Sequence, residues 1–314
     1  MGAHARVFVT RQLPGGALER LGARHEVEIW PDRLPPPRSE LFARAPELEG
    51  LLSLLTDPVD AELIAAAPRL RAISNYAVGV DNVDVEAAAA RGIPVGNTPD
   101  VLTDSTADLA LALMLGIGRR LAEGEAFVRA GSWKTWEPDL LLGRDLHGAT
   151  VGIVGYGRIG QAVAHRLEGF GSTVLTTSRG VGVSLDELLA RADFVTLHCP
   201  LTPKTRGLID DAALRRMKPT AYLVNTARGP IVDTGALARA LDAGELAGAA
   251  LDVTDPEPLP GDHPLLSAPN LLVVPHVGSA TVATREKMAD MAVDNLLAGL
   301  AGEPMPHSVT PRAP

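Results

Sequence analysis

Three polar residues stand far apart in the chain but share one kind of setting. Arg228 lies in NTARGP, Glu257 in DPEP and His276 in VVPHVGSA, each beyond a short apolar run that reads as a strand. A guanidinium is a forked, permanently charged donor suited to a carboxylate. A histidine beside a carboxylate can hold and release a proton, because the acid fixes the ring and favours its charged form. Taken singly, a strand-end Arg or His is more often structural, and a loop Glu is more often only solvated. At the carboxyl ends of neighbouring parallel strands, the three together predict a site that binds a small keto acid and protonates its carbonyl.

What is delivered to that carbonyl is indicated upstream. The stretch VGIVGYGRIG is an apolar strand over 151–154 running into G-x-G-x-x-G and then a helix over 159–168. In that context Gly155 permits the tight turn, Gly157 lets the backbone approach a pyrophosphate, and Gly160 lets helix pack on strand. The helix N-terminus then faces the phosphates. A dinucleotide and hydride transfer are the expectation. The end of the next strand, Thr176, Thr177, Ser178 and Arg179, has no acid before Asp186. An NAD site would place Asp or Glu there for the ribose hydroxyls; Ser178 and Arg179 suit a 2′-phosphate instead. NADP(H) is therefore the preferred cofactor, with NAD(H) as the alternative.

The elements that must position these groups alternate along the whole chain, as in a parallel α/β protein. Strands are predicted at 7–10, 26–29, 51–54, 72–74 and 95–97, with helices at 16–21, 60–67 and 85–90. This first block reads as a flavodoxin-like open sheet. A long helix from about 103 to 120 is apolar on nearly all sides and predicts burial all round. An irregular arm over 131–147 carries Trp133 and Trp136 and reads as a partner surface. Six strands follow, at 151–154, 173–176, 194–197, 222–225, 248–252 and 271–274. With helices at 159–168, 185–190, 210–217 and 233–243 they make a complete Rossmann dinucleotide-binding domain. A last helix spans about 281–298.

Composition narrows the class. The 314 residues are 46% hydrophobic, enough for two cored domains. The net charge of −9 argues against nucleic acid or an anionic membrane as partner. The single cysteine, Cys199, has no disulfide partner and no metal-ligand spacing around it, so a reducing compartment and no metal are expected. The first ten residues read as a strand and not as a signal peptide, and the longest apolar run, 109–117, is too short to span a bilayer. A cytoplasmic protein is predicted.

At this point the chain resembles the D-isomer-specific 2-hydroxyacid dehydrogenase family from end to end, and within it the glyoxylate/hydroxypyruvate reductases. The matching stretches include ISNYAVGVDNVDV, VLTDSTADLALALML, GSWKTWEPDLLLGRDL, TLHCPLTPKTRGLI, LVNTARGPIVD, ALDVTDPEPLP and PHVGSAT, besides the glycine motif. The resemblance implies a Rossmann domain (99–282) inserted into a flavodoxin-like substrate domain (1–98 and 283–314), with helices near 101–120 and 281–298 as the hinge and closure excluding water.

It also implies that NADPH reduces glyoxylate or hydroxypyruvate while His276, fixed by Glu257, protonates the oxygen and Arg228 holds the carboxylate. Backbone amides of Val78 and Gly79 would complete the carboxylate cradle, with Leu52 and Ser53 on the substrate side. Thr103, Arg158, Ile159, Cys199, Pro200, Thr205, Thr226, Ala227, Asp252, His276 and Gly278 would line the cofactor, beside the three glycines, Ser178 and Arg179. A homodimer is implied, in which Trp136 reaches the neighbouring subunit's site.

Two other readings stay open. A D-lactate or phosphoglycerate dehydrogenase would share the fold, the first more typically with an acid at the Thr177–Arg179 position. A nucleotide-sensing binding protein would keep the fold and recruit partners. Nucleophilic chemistry at Cys199 beside His198 is disfavoured, and Asp81 and Asp84 read as a turn and a helix cap and not as a metal pair.

Overall fold

A computed structural model describes residues 4–309. The first three and last five residues, part of the N-terminal and tail segments read above, lie outside the described residues. In chain order the first elements are β1 (Arg6–Val9), α1 (Ala17–Gly22), β2 (Glu26–Ile29), α2 (Arg38–Arg44), β3 (Gly50–Ser53), α3 (Ala61–Ala66), β4 (Ala72–Asn75), α4 (Val85–Ala90) and β5 (Val95–Gly96). Then come α5 (Thr103–Gly118), α6 (Leu121–Arg129), β6 (Thr150–Val154), α7 (Arg158–Glu168), β7 (Thr173–Ser178), β8 (Val181–Gly182), α8 (Leu185–Arg191) and β9 (Phe194–Leu197). The chain closes with α9 (Asp211–Arg216), β10 (Tyr222–Asn225), α10 (Thr234–Asp242), β11 (Gly248–Leu251), β12 (Leu271–Val273) and α11 (Val282–Ala301).

Contacts divide these elements into two units, one running to Leu102 and resuming at Ser279, the other Thr103–Gly278. The first holds a five-stranded sheet in the order β2-β1-β3-β4-β5, parallel throughout. That is the flavodoxin-like order. Both faces of its central strands are buried, which explains why β3 and β4 carry no charged residue. Phe8, Leu51 and Ile73 face a core with Leu41, Leu63 and Ile64. On the other face Gly50 leaves room for Leu300 of α11: a Cβ there would lie 3.2 Å from it. Asp84 caps α4 through the amide of Ala87, as the turn-and-cap reading expected.

The second unit holds a seven-stranded sheet in the order β12-β11-β10-β9-β6-β7-β8. Its first six strands run parallel, the doubly wound arrangement of a dinucleotide-binding fold, with α5 and α7 on one face and α8, α9 and α10 on the other.

Three local expectations are corrected. The strand predicted at 173–176 extends to Ser178 and turns back as a seventh, antiparallel strand, β8. The helix predicted from 103 to 120 ends at Gly118, and a separate helix, α6, follows. Arg120 adopts a left-handed φ of 51°, which breaks the helical path between them. Nor is α5 buried all round: Asp104, Asp108 and Ala112 are exposed, and both acids pair with Arg166 of α7.

Candidate active site

The carboxyl ends of the second unit's parallel strands carry most of the residues singled out from sequence. At the end of β6 the chain turns through Gly155, whose φ of +95° suits glycine. A Cβ built there would lie 2.5 Å from the backbone nitrogen of Cys199, so β9's exit packs directly under the turn. A Cβ on Gly160 would lie 2.3 Å from the carbonyl oxygen of Gly155. Gly157 differs from both: its φ is −82° and a Cβ would meet nothing within 4 Å. The protein gives no steric reason for glycine at that position.

Gly157 is the N-cap of α7 and supplies no side-chain cap, and no acid stands in the helix's first turn. Open space above backbone amides at an uncapped, eleven-residue helix start fits a pyrophosphate. Arg158 and Ile159 begin the helix. At the end of β7, Ser178 pairs with Val181, leaving Arg179 and Gly180 as the two residues of a tight hairpin turn. Gly182 is required opposite, because a Cβ there would lie 1.9 Å from the carbonyl oxygen of Thr176.

Beyond β9, His198 stands between two hydroxyls, with Nε2 2.9 Å from Thr196 and Nδ1 3.4 Å from Thr226. Burial pushes its pKa down to about 4, so the ring is neutral at physiological pH. Burial pushes the thiol of Cys199 up to about 11, so it stays protonated at physiological pH. Pro200 and Thr205 belong to the turn that follows, where the Thr205 hydroxyl donates to the Pro200 carbonyl at 2.7 Å.

The loop after β10 places Thr226, Ala227 and Arg228. Asn225 shapes it, accepting from the Ala227 amide at 3.0 Å and donating to the Arg228 carbonyl at 2.9 Å. Arg228 is half-buried and extended (φ −146°). The next residue, Gly229, presses on the loop after β11: a Cβ there would lie 1.8 Å from the Thr254 carbonyl oxygen. The Arg228 loop and the Glu257 loop are therefore packed backbone to backbone.

Glu257 and His276 meet directly. Oε1 of Glu257 lies 2.5 Å from Nδ1 of His276, leaving Nε2 as the ring's other exchangeable position. His276 has a left-handed φ of 51°, uncommon for a side chain of its size. Its amide donates to the carbonyls of Asp252 and Val274, at 2.9 and 3.0 Å. Asp252, buried at the end of β11, accepts from the amides of Val277 and Gly278 at 2.6 and 2.9 Å. Burial raises its pKa, opposed by those two amides. The Thr106 hydroxyl of α5, one turn beyond Thr103, donates to the Gly278 carbonyl at 3.3 Å. Sequence reasoning missed Thr106, whose only signal was a small polar residue on an apolar element, and it named Thr226 at the cofactor without its contact to His198.

Other expected residues lie elsewhere. Leu52 and Ser53 are fully buried in β3 of the first unit, and the Ser53 hydroxyl donates to Asn75. Val78 and Gly79 lie in the first unit's loop before α4 and are half-buried. Trp136 is 78% exposed on the arm after α6.

Residues 111–278 match the model of the family described as D-isomer specific 2-hydroxyacid dehydrogenase, NAD binding domain. A glyoxylate reductase of Korarchaeum cryptofilum is 48% identical over 316 residues, covering 97% of this chain and 95% of its own length. Among solved structures, a protein of Thermus thermophilus is 53% identical with a TM-score of 0.92, over 97% of this chain and 99% of its own. An NADPH-dependent glyoxylate/hydroxypyruvate reductase of Sinorhizobium meliloti, solved with NADP and malonate, is 36% identical with a TM-score of 0.86, over 99% and 100%.

Proposed function

Because this chain belongs to the D-isomer-specific 2-hydroxyacid dehydrogenase family, we propose that it reduces glyoxylate to glycolate, and hydroxypyruvate to glycerate, with NADPH as the preferred reductant. The observation that carries the reading is the Glu257–His276 pair, held beside the Arg228 loop and on the same sheet edge as the open glycine turn. The cofactor fits that turn: Gly157 and the first amides of α7 would hold its pyrophosphate, and Ser178 and Arg179 its 2′-phosphate. When bound, it supplies the hydride.

The remaining chemistry belongs to side chains. Arg228 binds the substrate carboxylate and stabilises charge that develops on the carbonyl oxygen. His276 gives that oxygen the proton from Nε2, because Nδ1 is committed to Glu257. Glu257 holds the ring and offsets its positive charge until the proton leaves. Asp252 holds the Val277 and Gly278 amides and so fixes the path of the histidine loop. A D-lactate dehydrogenase is the weaker reading, since no acid stands at positions 177–179.

The chain is further proposed to be a homodimer. None of the residues of α6 is buried, and Leu121, Val128, Trp133, Trp136 and Leu142 on and after it are all exposed. Such an apolar cluster on one segment suits a second copy of the chain; sedimentation of the purified protein reads the mass directly. The function is tested by following NADPH and NADH absorbance with glyoxylate, hydroxypyruvate and pyruvate. Fast NADPH loss with either of the first two supports it, and turnover only with pyruvate and NADH supports the lactate reading instead.

A further inference from the structure

The segment that carries Glu257, Asp255-Pro256-Glu257-Pro258, has little means of holding itself. Proline stands at every second position and brings no N–H, and neither a helix nor a strand runs through it. The glutamate is also partly open to solvent, with 36% of its side chain exposed, so burial alone does not choose its rotamer. Yet Oε1 reaches Nδ1 of His276 at 2.5 Å. Groups outside the segment must therefore fix it.

Two threonine hydroxyls do so. Thr254, buried just before the segment, donates through its hydroxyl to the Pro256 carbonyl at 2.9 Å. Thr234, the first residue of α10, donates through its hydroxyl to the Asp255 carbonyl at 2.8 Å. That helix is anchored by its Asp233 cap and by the buried side chains of Leu237 and Leu241, so the hydroxyl comes from a fixed element. The two carbonyls preceding Glu257 are thus each tied by a hydroxyl of their own. Gly229 presses on the same stretch: a Cβ there would lie 2.7 Å from the Asp255 nitrogen. Finally, the Thr254 amide donates to Oε2 of Glu257 at 3.4 Å, while Oε1 meets the histidine. With a partner on each oxygen, the carboxylate is fixed in plane as well as in place. A glutamate side chain is rich in rotamers, and ordering it only when the proton moves would slow that step.

We propose that Thr254 and Thr234 are positioning residues that pre-assemble the Glu257–His276 pair, presenting Oε1 to Nδ1 before any ligand binds. The inference rests on the function proposed above, and all of its residues belong to the second unit. Both threonines act through the glutamate segment and not on the reacting atoms.

Thr254→Val removes the hydroxyl and keeps the branched shape, whereas Thr254→Ser keeps the hydroxyl. With glyoxylate, kcat is expected to fall roughly tenfold in Thr254→Val and to stay within about twofold of wild type in Thr254→Ser, with KM for glyoxylate and NADPH little changed in both. The pair is also read without turnover. A ring N–H shared with a carboxylate gives a far-downfield proton resonance, identified here by its absence in His276→Ala. Ligand-free wild type should show it, Thr254→Ser should keep it, and Thr254→Val should weaken it. No such resonance in the ligand-free wild type, or an undiminished one in Thr254→Val, would overturn the proposal. So would an unchanged kcat in Thr254→Val, or equal losses in both variants with a lowered Tm, the mark of a structural role alone. Should Thr254→Val not fold, Thr234→Val at a less buried position carries the same test, with Thr234→Ser as its control. If the wild type reduces no keto acid, the proposed function fails, while a resonance lost in Thr254→Val and kept in Thr254→Ser still supports the positioning.

Discussion

Glu257 and His276, 19 positions apart, bring Oε1 and Nδ1 to 2.5 Å, and neither depends on its own element to do so. The glutamate sits in a loop held against Gly229, and the histidine sits in a left-handed turn held by the Asp252 carbonyl. The contact belongs to the packing of two strand-end loops. Its consequence is that Nδ1 is committed to the carboxylate and Nε2 is the ring's other exchangeable position.

Removing either partner should therefore leave the cofactor site intact and disable turnover. His276→Ala is expected to lower kcat by at least about a hundredfold, and Glu257→Gln by a comparable factor, because the ring loses its charge partner. Titration of NADPH fluorescence should give the same Kd in both variants as in the wild type. Near-normal kcat in His276→Ala would remove the acid assignment.

The three motif glycines should separate by phenotype. Gly155→Ala forces a left-handed φ and a clash with Cys199, so a loss of about 2 kcal/mol or more in stability is expected. Gly160→Ala should destabilise similarly through the Gly155 carbonyl. Gly157→Ala meets no protein atom, so Tm should hold while the Kd for NADPH rises at least about tenfold. Thermal melts and cofactor titrations on the three variants check this. Unchanged NADPH affinity in Gly157→Ala would say that the open space above the turn is not where the pyrophosphate lies.

Much of this was legible in the sequence, and the misses have physical causes. The central strands that carry the site, β6, β9, β10 and β11, are buried on both faces, so their apolar runs were unmistakable; elsewhere β2 and α4 match the predicted bounds. The glycine motif, Arg228, Glu257 and His276 stand at strand ends, where period and punctuation are strongest. Short or surface elements left less trace. In α2 only Leu41 is buried, and in α6 nothing is, so neither has an apolar stripe to read. Strand β8 is only two residues long, just past a hairpin turn. The asparagines under the loop before α4 left no signal in the sequence, because Asn75 reaches Asn82 and Asn97 reaches the Val78 carbonyl only once the strands are assembled.

The proposed preference for NADPH rests on the hairpin after β7. Arg179 is fixed there by the Ser178–Val181 pairing and needs no acid to be tolerated. Arg179→Ala should raise the KM for NADPH roughly tenfold or more, as loss of a charge-assisted phosphate contact would, and leave that for NADH within about twofold. Parallel initial-rate series with the two nucleotides read it; equal effects on both would remove the 2′-phosphate assignment.

Acid stability should report His198. Its folded pKa of about 4 lies below the ordinary 6.5, so the unfolded chain binds a proton across that window that the folded chain does not. Stability is thus intact above about pH 6.5 and falls as pH drops toward 4, by up to about 1.4 kcal/mol for each unit. Urea denaturation at pH 7, 6 and 5 should show a steeper loss for the wild type than for His198→Gln. Parallel curves would place the ring in a more solvated setting than its threonine contacts suggest.

The most direct measurement of the central claim follows the hydride itself. NADPH carrying deuterium on the transferred C4 position is mixed with glyoxylate and the protein, and the product is examined by mass spectrometry and NMR. The account predicts glycolate with one deuterium on C2, formed by the wild type and lost in His276→Ala. Glycolate without carbon-bound deuterium, or NADPH that binds tightly with no glycolate formed, would contradict it.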